Sequence, residues 1–107
     1  MSIDDDVRFR LMRLIETNPE ISQRELSRRL SVSLGGVNYC LNRLMENGHV
    51  TMARLRRSDG RIAYAYALTP RGLREKACLT RGYLARKTAE YEALKEEIES
   101  IQSELRE

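Results

Sequence analysis

Between positions 54 and 61 the chain places four arginines, Arg54, Arg56, Arg57 and Arg61, around an Asp59-Gly60 pair. Guanidinium groups at this density suit one chemistry above others: permanently charged, planar forks that pair with phosphate oxygens. A second polar set precedes them. Asn38, Tyr39, Asn42 and Arg43 recur at helical spacing, and their carboxamides and guanidinium carry the donor and acceptor pattern that matches base edges in a DNA major groove, with Tyr39 suited to phosphate or a thymine methyl. Ser33, Gly35 and Gly36 come just before. A serine cap and bare first-turn amides form a place for a phosphate. Each glycine costs a helix about 1 kcal/mol relative to Ala, which implies that something approaches this backbone closely. Any one of these residues alone suits a solvated helix face, and arginines at a hairpin tip also guard against edge pairing. Taken together, the two sets favour double-stranded DNA as partner.

The elements that must position these groups are legible from periodicity. "DDDVRFRLMRLIETNPE" opens with acids that favour a helix start. It sets Val7, Leu11, Leu14 and Ile15 on one face before Asn18-Pro19 stops it. In "ISQREL", Ser22 with Glu25 three residues on predicts a capping box for a short second helix buried through Leu26 and Leu30, with Arg24, Arg28 and Arg29 outside. "SVSLGG" breaks the pattern briefly. Ser33 then caps a third helix whose buried stripe is Leu34, Val37, Leu41, Leu44 and Met45, ended by Asn47-Gly48. Two helices joined by so short a turn make a helix-turn-helix. Its third helix, about 33–47, turns Gly35, Gly36, Asn38, Tyr39, Asn42, Arg43 and Glu46 outward.

From "GHVTMARLRR" to "RIAYAYALT" two extended segments flank Asp59-Gly60, a pair favoured in two-residue type I′ loops. That loop sets Ser58 opposite Arg61, Arg56 opposite Ala63 and Arg54 opposite Ala65. Arg54 and Arg56 then share a face with alanines, while Leu55, Tyr64, Tyr66 and Leu68 cover the helices; a slip of one residue reverses the faces. A hairpin directly after a helix-turn-helix is a wing. Arginines at its tip suit the DNA backbone or a narrow minor groove.

Thr69-Pro70 reads as a cap followed by proline at the first helical position, and no proline follows. The resulting helix reaches about 55 Å if unbroken, with a kink or division expected near Gly82. With Leu84 as position a, Leu84, Tyr91, Ile98 and Leu105 fall at a, and Lys87, Leu94 and Ile101 at d. This stripe packs either on the chain's own core or on a second chain. The small domain ahead offers little to cover it, which favours a homodimer through Leu84, Tyr91, Leu94, Ile98, Ile101 and Leu105. The expected fold is mainly α with a small β-hairpin. It divides into a DNA-binding domain, residues 1–69, and a dimerisation helix, residues 70–107.

Charge follows the same division. Of 107 residues, 33% are charged and the net charge is +3. Residues 21–69 and 70–89 each carry +5, whereas residues 1–20 carry −2 and residues 90–107 carry −5. A modest total therefore hides a strongly basic middle, the electrostatic footprint of a phosphate-binding surface. No stretch is apolar enough for a membrane span and "MSIDDDVRFR" is no signal peptide, so a cytoplasmic protein is expected. Cys40 and Cys78 lie in no metal or disulfide spacing and read as buried or idle thiols, with Cys40 the candidate for redox control. His49 has no catalytic or ligating neighbour and reads as a turn residue. No enzyme, cofactor or metal site is expected: the sequence offers no catalytic carboxylate pair at motif spacing, no nucleophile with a base and no metal-ligand spacing, and "SLGG" lacks the P-loop lysine. The competing reading is a winged helix that binds proteins, or binds DNA without sequence preference.

"ISQRELSRRLSVSLGGVNYCLNRLMENGHV" followed by "SDGRIAYAYALTPRGLREK" resembles the winged helix-turn-helix of MarR-type transcriptional regulators, down to the Asp and Arg of the wing and the "LTPRG" step. It is most similar to the short MarR-like regulators associated with exopolysaccharide gene clusters. The resemblance covers roughly residues 7–80. It implies a dimeric regulator on palindromic sites, with Ser33 to Arg43 in the major groove and Arg54 to Arg61 on the backbone or minor groove. Typical members are longer, with an N-terminal dimerisation helix and a ligand pocket. Here almost nothing precedes the first helix, which argues against a small-molecule effector.

Overall fold

The computed structural model describes residues 4–107; residues 1–3, the start of the expected DNA-binding domain, lie outside the described residues. Six elements follow in order: α1 (Asp5–Thr17), α2 (Gln23–Leu30), α3 (Leu34–Glu46), β1 (Val50–Arg56), β2 (Ile62–Leu68) and α4 (Pro70–Leu105). The protein is mainly helical, a winged helix-turn-helix with one antiparallel hairpin and a long C-terminal helix.

Side-chain caps set the helix starts. Asp4 accepts from the Asp6 N–H at 2.6 Å, Ser22 from Glu25 at 3.0 Å and Ser33 from Gly36 at 3.0 Å, each satisfying an amide that has no partner inside its helix. The capping box at Ser22 forms only by half. The Glu25 carboxylate is taken instead by Arg28 and Arg29. Between α2 and α3 the chain turns through Ser31, held at φ 55°, while the Ser27 hydroxyl donates to the Val32 carbonyl.

The core gathers Phe9, Leu11, Met12 and Ile15 of α1, Ile21, Leu26 and Leu30, Val37, Cys40, Leu41 and Leu44 of α3, Val50 and Tyr66 of the hairpin, and Leu79 of α4. This shifts the expected face of α1, where Val7 and Leu14 are only half-buried. The reason is α4, which runs along α1 and takes Phe9 against Tyr83, ring centroids 4.5 Å apart. The stripe of α3 is corrected likewise. Burial of Gly36 and Cys40 rotates it, leaving Leu34 at its edge, 46% exposed.

The hairpin departs furthest from expectation. Arg54 pairs with Tyr64, Arg56 with Ile62 and Leu55 with Ala63, one residue away from the type I′ register. Gly60 alone adopts positive φ, +85°, and Asp59 does not, whereas type I′ needs both. The Gly60 N–H donates to the Arg57 carbonyl at 2.9 Å and the Arg57 N–H to the Arg61 carbonyl at 2.8 Å. That is a type I turn followed by a left-handed glycine, a three-residue loop. Asp59 holds it by accepting the Arg61 N–H at 3.0 Å. Directly paired residues share a face, so Arg54 and Arg56 lie on the same face as Tyr66 and Leu68. Position along the hairpin, beyond the core's edge, exposes them.

α4 runs its 36 residues without a break at Gly82, and residues 4–107 span 66 × 31 × 25 Å. Its start is locked to the α3–β1 bend. Thr69 accepts the Gly72 N–H at 2.9 Å and donates to the Gly48 carbonyl, and a side chain at Gly72 would set its Cβ 1.9 Å from the His49 carbonyl oxygen. His49 itself is buried in that bend. Further along, Glu75 pairs with Arg8 at 3.6 Å, Lys76 with Glu16 and Arg86 with Asp6. The packing of α4 on α1 thus runs across the boundary at Thr69. From residue 84 onward every side chain is exposed. Among the described residues no helix is long and apolar enough to cross a membrane.

Candidate nucleic-acid interface

Burying Val37, Cys40, Leu41 and Leu44 leaves one face of α3 in solvent. Asn38, Asn42 and Arg43 are exposed there and Tyr39 is half-buried. The two carboxamides are one helical turn apart and joined, Asn42 Nδ2 donating to Asn38 Oδ1 at 3.1 Å. Asn38 Nδ2 in turn donates to Gln23 Oε1 of α2 at 3.5 Å, and Gln23 Nε2 to the Tyr66 hydroxyl of β2 at 3.4 Å. This line of amides ties the polar face of α3 to the base of the wing. Arg43 leans to Glu46 at 3.4 Å.

Gln23 escaped sequence reasoning. Its partner Tyr66 is 43 residues away, and no periodicity reports such a contact. The signal present was weaker: a polar residue directly after the Ser22 cap, in a helix whose start the wing must pass. The wing does pass it, because the Tyr66 N–H donates to the Pro19 carbonyl at 2.8 Å.

The two glycines of α3 differ. A Cβ on Gly35 would meet nothing within 4 Å, but one on Gly36 would sit 2.7 Å from Val32 Cγ1. Internal packing therefore accounts for Gly36, which is buried rather than outward-facing as expected. Only Gly35 leaves the backbone open for close approach. Ser33, exposed beside it, has its oxygen engaged by Gly36.

The four wing arginines also differ. Arg57 is drawn to Glu20 at 3.3 Å and Arg61 to Asp59 at 3.6 Å. Arg54 and Arg56 are exposed and make no ion pair among the described residues, so their charge is uncompensated. On α2, Glu25 is held down to about 2 by hydrogen bonds from Arg28 and then Arg29. It stays ionised and offsets part of that helix's positive charge, whereas Arg24 remains exposed. Cys40 is the opposite case. Burial pushes its thiol up to about 11, and a buried, protonated thiol is a poor redox sensor. Among the described residues no group of His, Cys, Asp and Glu is arranged to hold a metal ion.

Residues 4–51 match the family described as winged helix-turn-helix DNA-binding. No curated protein matches the chain. Among solved structures, a PadR-like transcriptional regulator from Bacillus cereus is similar over 82% of this chain and 90% of its own, with a TM-score of 0.67 at 20% identity. ZitR, a zinc-responsive MarR family member of Lactococcus lactis, is similar over 88% of this chain and 62% of its own, with a TM-score of 0.63 at 13% identity. A mutant ZitR in complex with DNA matches 82% of this chain and 57% of its own, with a TM-score of 0.61 at 15% identity. The chain thus spans nearly all of the PadR-like protein and under two thirds of ZitR. At these identities the likeness is one of fold. Residues 4–51 are thus similar to the winged helix-turn-helix DNA-binding family, in a chain whose fold is like that of PadR- and MarR-type transcriptional regulators.

Proposed function

We propose that the chain is a MarR-like transcriptional regulator that binds double-stranded DNA as a homodimer. Residues 1–69 form the DNA-binding domain and residues 70–107 the dimerisation helix. The observation that carries this reading is the amide line from Asn42 through Asn38 and Gln23 to Tyr66, which joins the exposed face of α3 to the wing in one surface. Asn38, Asn42 and Arg43 read base edges in the major groove, with Tyr39, Ser33 and the Gly35 backbone against phosphate; Gly36 lets α3 begin close to Val32. Arg54 and Arg56 grip the backbone or minor groove, with Arg57 and Arg61 able to leave their carboxylates for phosphate.

The homodimer forms through Leu84, Tyr91, Leu94, Ile98, Ile101 and Leu105, all exposed along α4. That none of these six residues reaches the chain's own core supports this reading. A two-fold pair of recognition helices then meets half-sites about one helical turn apart, or a multiple of it. The sequence resemblance makes exopolysaccharide genes the first targets to examine.

The test is fluorescence anisotropy of the protein with DNA from upstream of its own gene and with a shuffled control, across a salt series. A steep salt slope with preference for the native fragment at higher salt is the expected result, each neutralised phosphate contributing about −0.9 to the slope. A steep slope without preference on any genomic fragment would make it an architectural DNA binder. No binding at low salt would overturn the reading.

A further inference from the structure

We infer that the Tyr66 hydroxyl of the wing positions Asn38 and Asn42 of α3 through Gln23, and that the sense of this line turns Asn42 to read an adenine. This rests on the DNA-binding reading proposed above. Tyr66 is the fixed end of the line: its ring is 3% exposed and its N–H is tied to the Pro19 carbonyl at 2.8 Å. Its hydroxyl accepts from Gln23 Nε2 at 3.4 Å. Gln23, half-buried directly after the Ser22 cap, therefore takes its orientation from the core rather than from solvent.

Each bond of the line sets the sense of the next. A carboxamide presents an acceptor at one corner and a donor at the other, and its last torsion is broad, so in water it turns over freely. Gln23 gives its nitrogen to Tyr66, which leaves its oxygen for α3, where it takes Asn38 Nδ2 at 3.5 Å. Asn38 Oδ1 then faces Asn42 and takes its Nδ2 at 3.1 Å. All three donors point toward the wing. At the far end, exposed on α3, Asn42 Oδ1 accepts from no group among the described residues, and its Nδ2 keeps a second hydrogen.

Adenine is the base that satisfies both atoms. Its N6 amino group gives to the carbonyl oxygen while its N7 accepts from the amide nitrogen. Guanine presents two acceptors in the major groove, cytosine one donor, and thymine one acceptor beside a methyl. Each of these leaves Asn42 Oδ1 or Nδ2 without a partner once water is excluded, which is the costly case. In the reverse sense Asn42 would give its oxygen to Asn38 and present N–H groups alone, a match for the two acceptors of guanine. The hydroxyl that anchors the line therefore decides between bases it never touches. Without it the carboxamides turn and the distinction blurs.

Selection of sites from a random duplex library by the full chain tests both parts, with anisotropy on the selected and shuffled DNA and circular dichroism melts of each variant. Asn42→Ala marks the position that Asn42 faces, and the wild type is expected to prefer adenine there by about fivefold or more. Tyr66→Phe keeps the buried ring and removes only the hydroxyl; Gln23→Met keeps the length and removes the amide. Each is expected to flatten that preference, and the double variant to flatten it no further than either alone. Tyr66→Phe keeps its affinity for shuffled DNA and its salt slope. Gln23→Glu is the conservative control. Its carboxylate accepts from both Tyr66 and Asn38, so the adenine preference survives while the added charge weakens binding to every sequence. An unchanged preference in Tyr66→Phe would overturn the positioning role, and equal losses on selected and shuffled DNA would make Tyr66 a structural residue only. A base other than adenine at the marked position would overturn the reading by Asn42. A wild-type chain that enriches no site would instead sink sequence-specific DNA binding itself.

Discussion

Between Pro70 and Tyr83, α4 is fastened to the rest of the chain: Gly72 lies against the backbone of His49, Leu79 enters the core, and Tyr83 stacks on Phe9. Between residues 84 and 105 the same uninterrupted helix exposes Leu84, Tyr91, Leu94, Ile98, Ile101 and Leu105, and no residue is buried. Helix propensity does not separate the two halves, since Leu, Ala, Arg, Lys and Glu fill both. The difference is that the apolar residues of one half have partners inside this chain, while those of the other half are left in solvent. An apolar stripe continued about six turns past the end of the core is a surface that wants covering, and the homodimer proposed above would cover it.

Two glycines of α4 give the sharpest way to break that comparison. By propensity alone, Gly→Ala in a helix gains about 1 kcal/mol. At Gly72 the new Cβ would lie 1.9 Å from a backbone oxygen, a clash no rotamer relieves, and the steric term wins. Gly72→Ala is expected to lose about 4 kcal/mol or more in chemical denaturation. At Gly82 the Cβ would meet only the Arg86 guanidinium, 3.2 Å away, an exposed side-chain end held by Asp6 that needs to shift only slightly. Gly82→Ala is expected to gain up to about 1 kcal/mol. Equal outcomes at the two positions would mean that the first half of α4 is not seated on the α3–β1 bend.

A leucine from each region sharpens it. Leu41 is fully buried in α3, and Leu41→Ala is expected to cost about 2–5 kcal/mol whatever the protein concentration. Leu94→Ala removes the same atoms from an exposed position. Its effect is expected only in the concentration-dependent part of the thermal midpoint, read from melts over a hundredfold dilution range. A concentration-independent loss at Leu94 would place its partner inside the chain.

The functional surface divides in a similar way. Asn38 and Asn42 are partnered within the chain and so held in place, while Arg54 and Arg56 have no charge partner among the described residues. Held groups suit base readout, which depends on angle; free, long, charged ones suit phosphate, which depends on reach. Asn42→Ala is expected to cost about 1–3 kcal/mol on the preferred DNA and little on shuffled DNA. Arg54→Ala is expected to weaken both alike and reduce the salt slope by about 0.9. Anisotropy with both DNAs separates the two, and identical profiles for the two variants would erase the division of roles.

What the sequence carried and what it did not can be traced to single residues. Caps at Ser22, Ser33 and Thr69 are local chemistry, and each stands where the sequence put it. The heptad of α4 is equally local, so its exposed stripe was legible, although Gly82 suggested a break that neighbouring helix formers override. The hairpin register was not legible. Asp59-Gly60 is compatible with two- and three-residue loops, and the choice falls to Arg57 and Arg61 exchanging a backbone bond, a single residue of slip with a reversal of both faces. Gln23 and the clash that forbids a side chain at Gly72 depend on chain segments brought together only by the fold.

The smallest effect concerns a carboxylate that is paired inside the body, against the tail's acids, of which only Glu90 has an ion pair among the described residues. Glu25 receives hydrogen bonds from Arg28 and Arg29, and its carboxyl is lowered from 4.5 to about 2. A carboxyl whose folded value is depressed contributes its stability in full above the unfolded value and loses it as pH falls through the folded one. The contribution is therefore complete above about pH 4.5, shrinks from there toward about pH 2, and is gone below. Because the arginines are largely in solvent, salt screens the pairing. The wild type is expected to melt slightly above Glu25→Gln at neutral pH and low salt, with the gap closing in acid and narrowing in salt. A gap that holds constant across pH would assign Glu25 a role other than pairing, and leave Arg28 and Arg29 as free as Arg54 and Arg56.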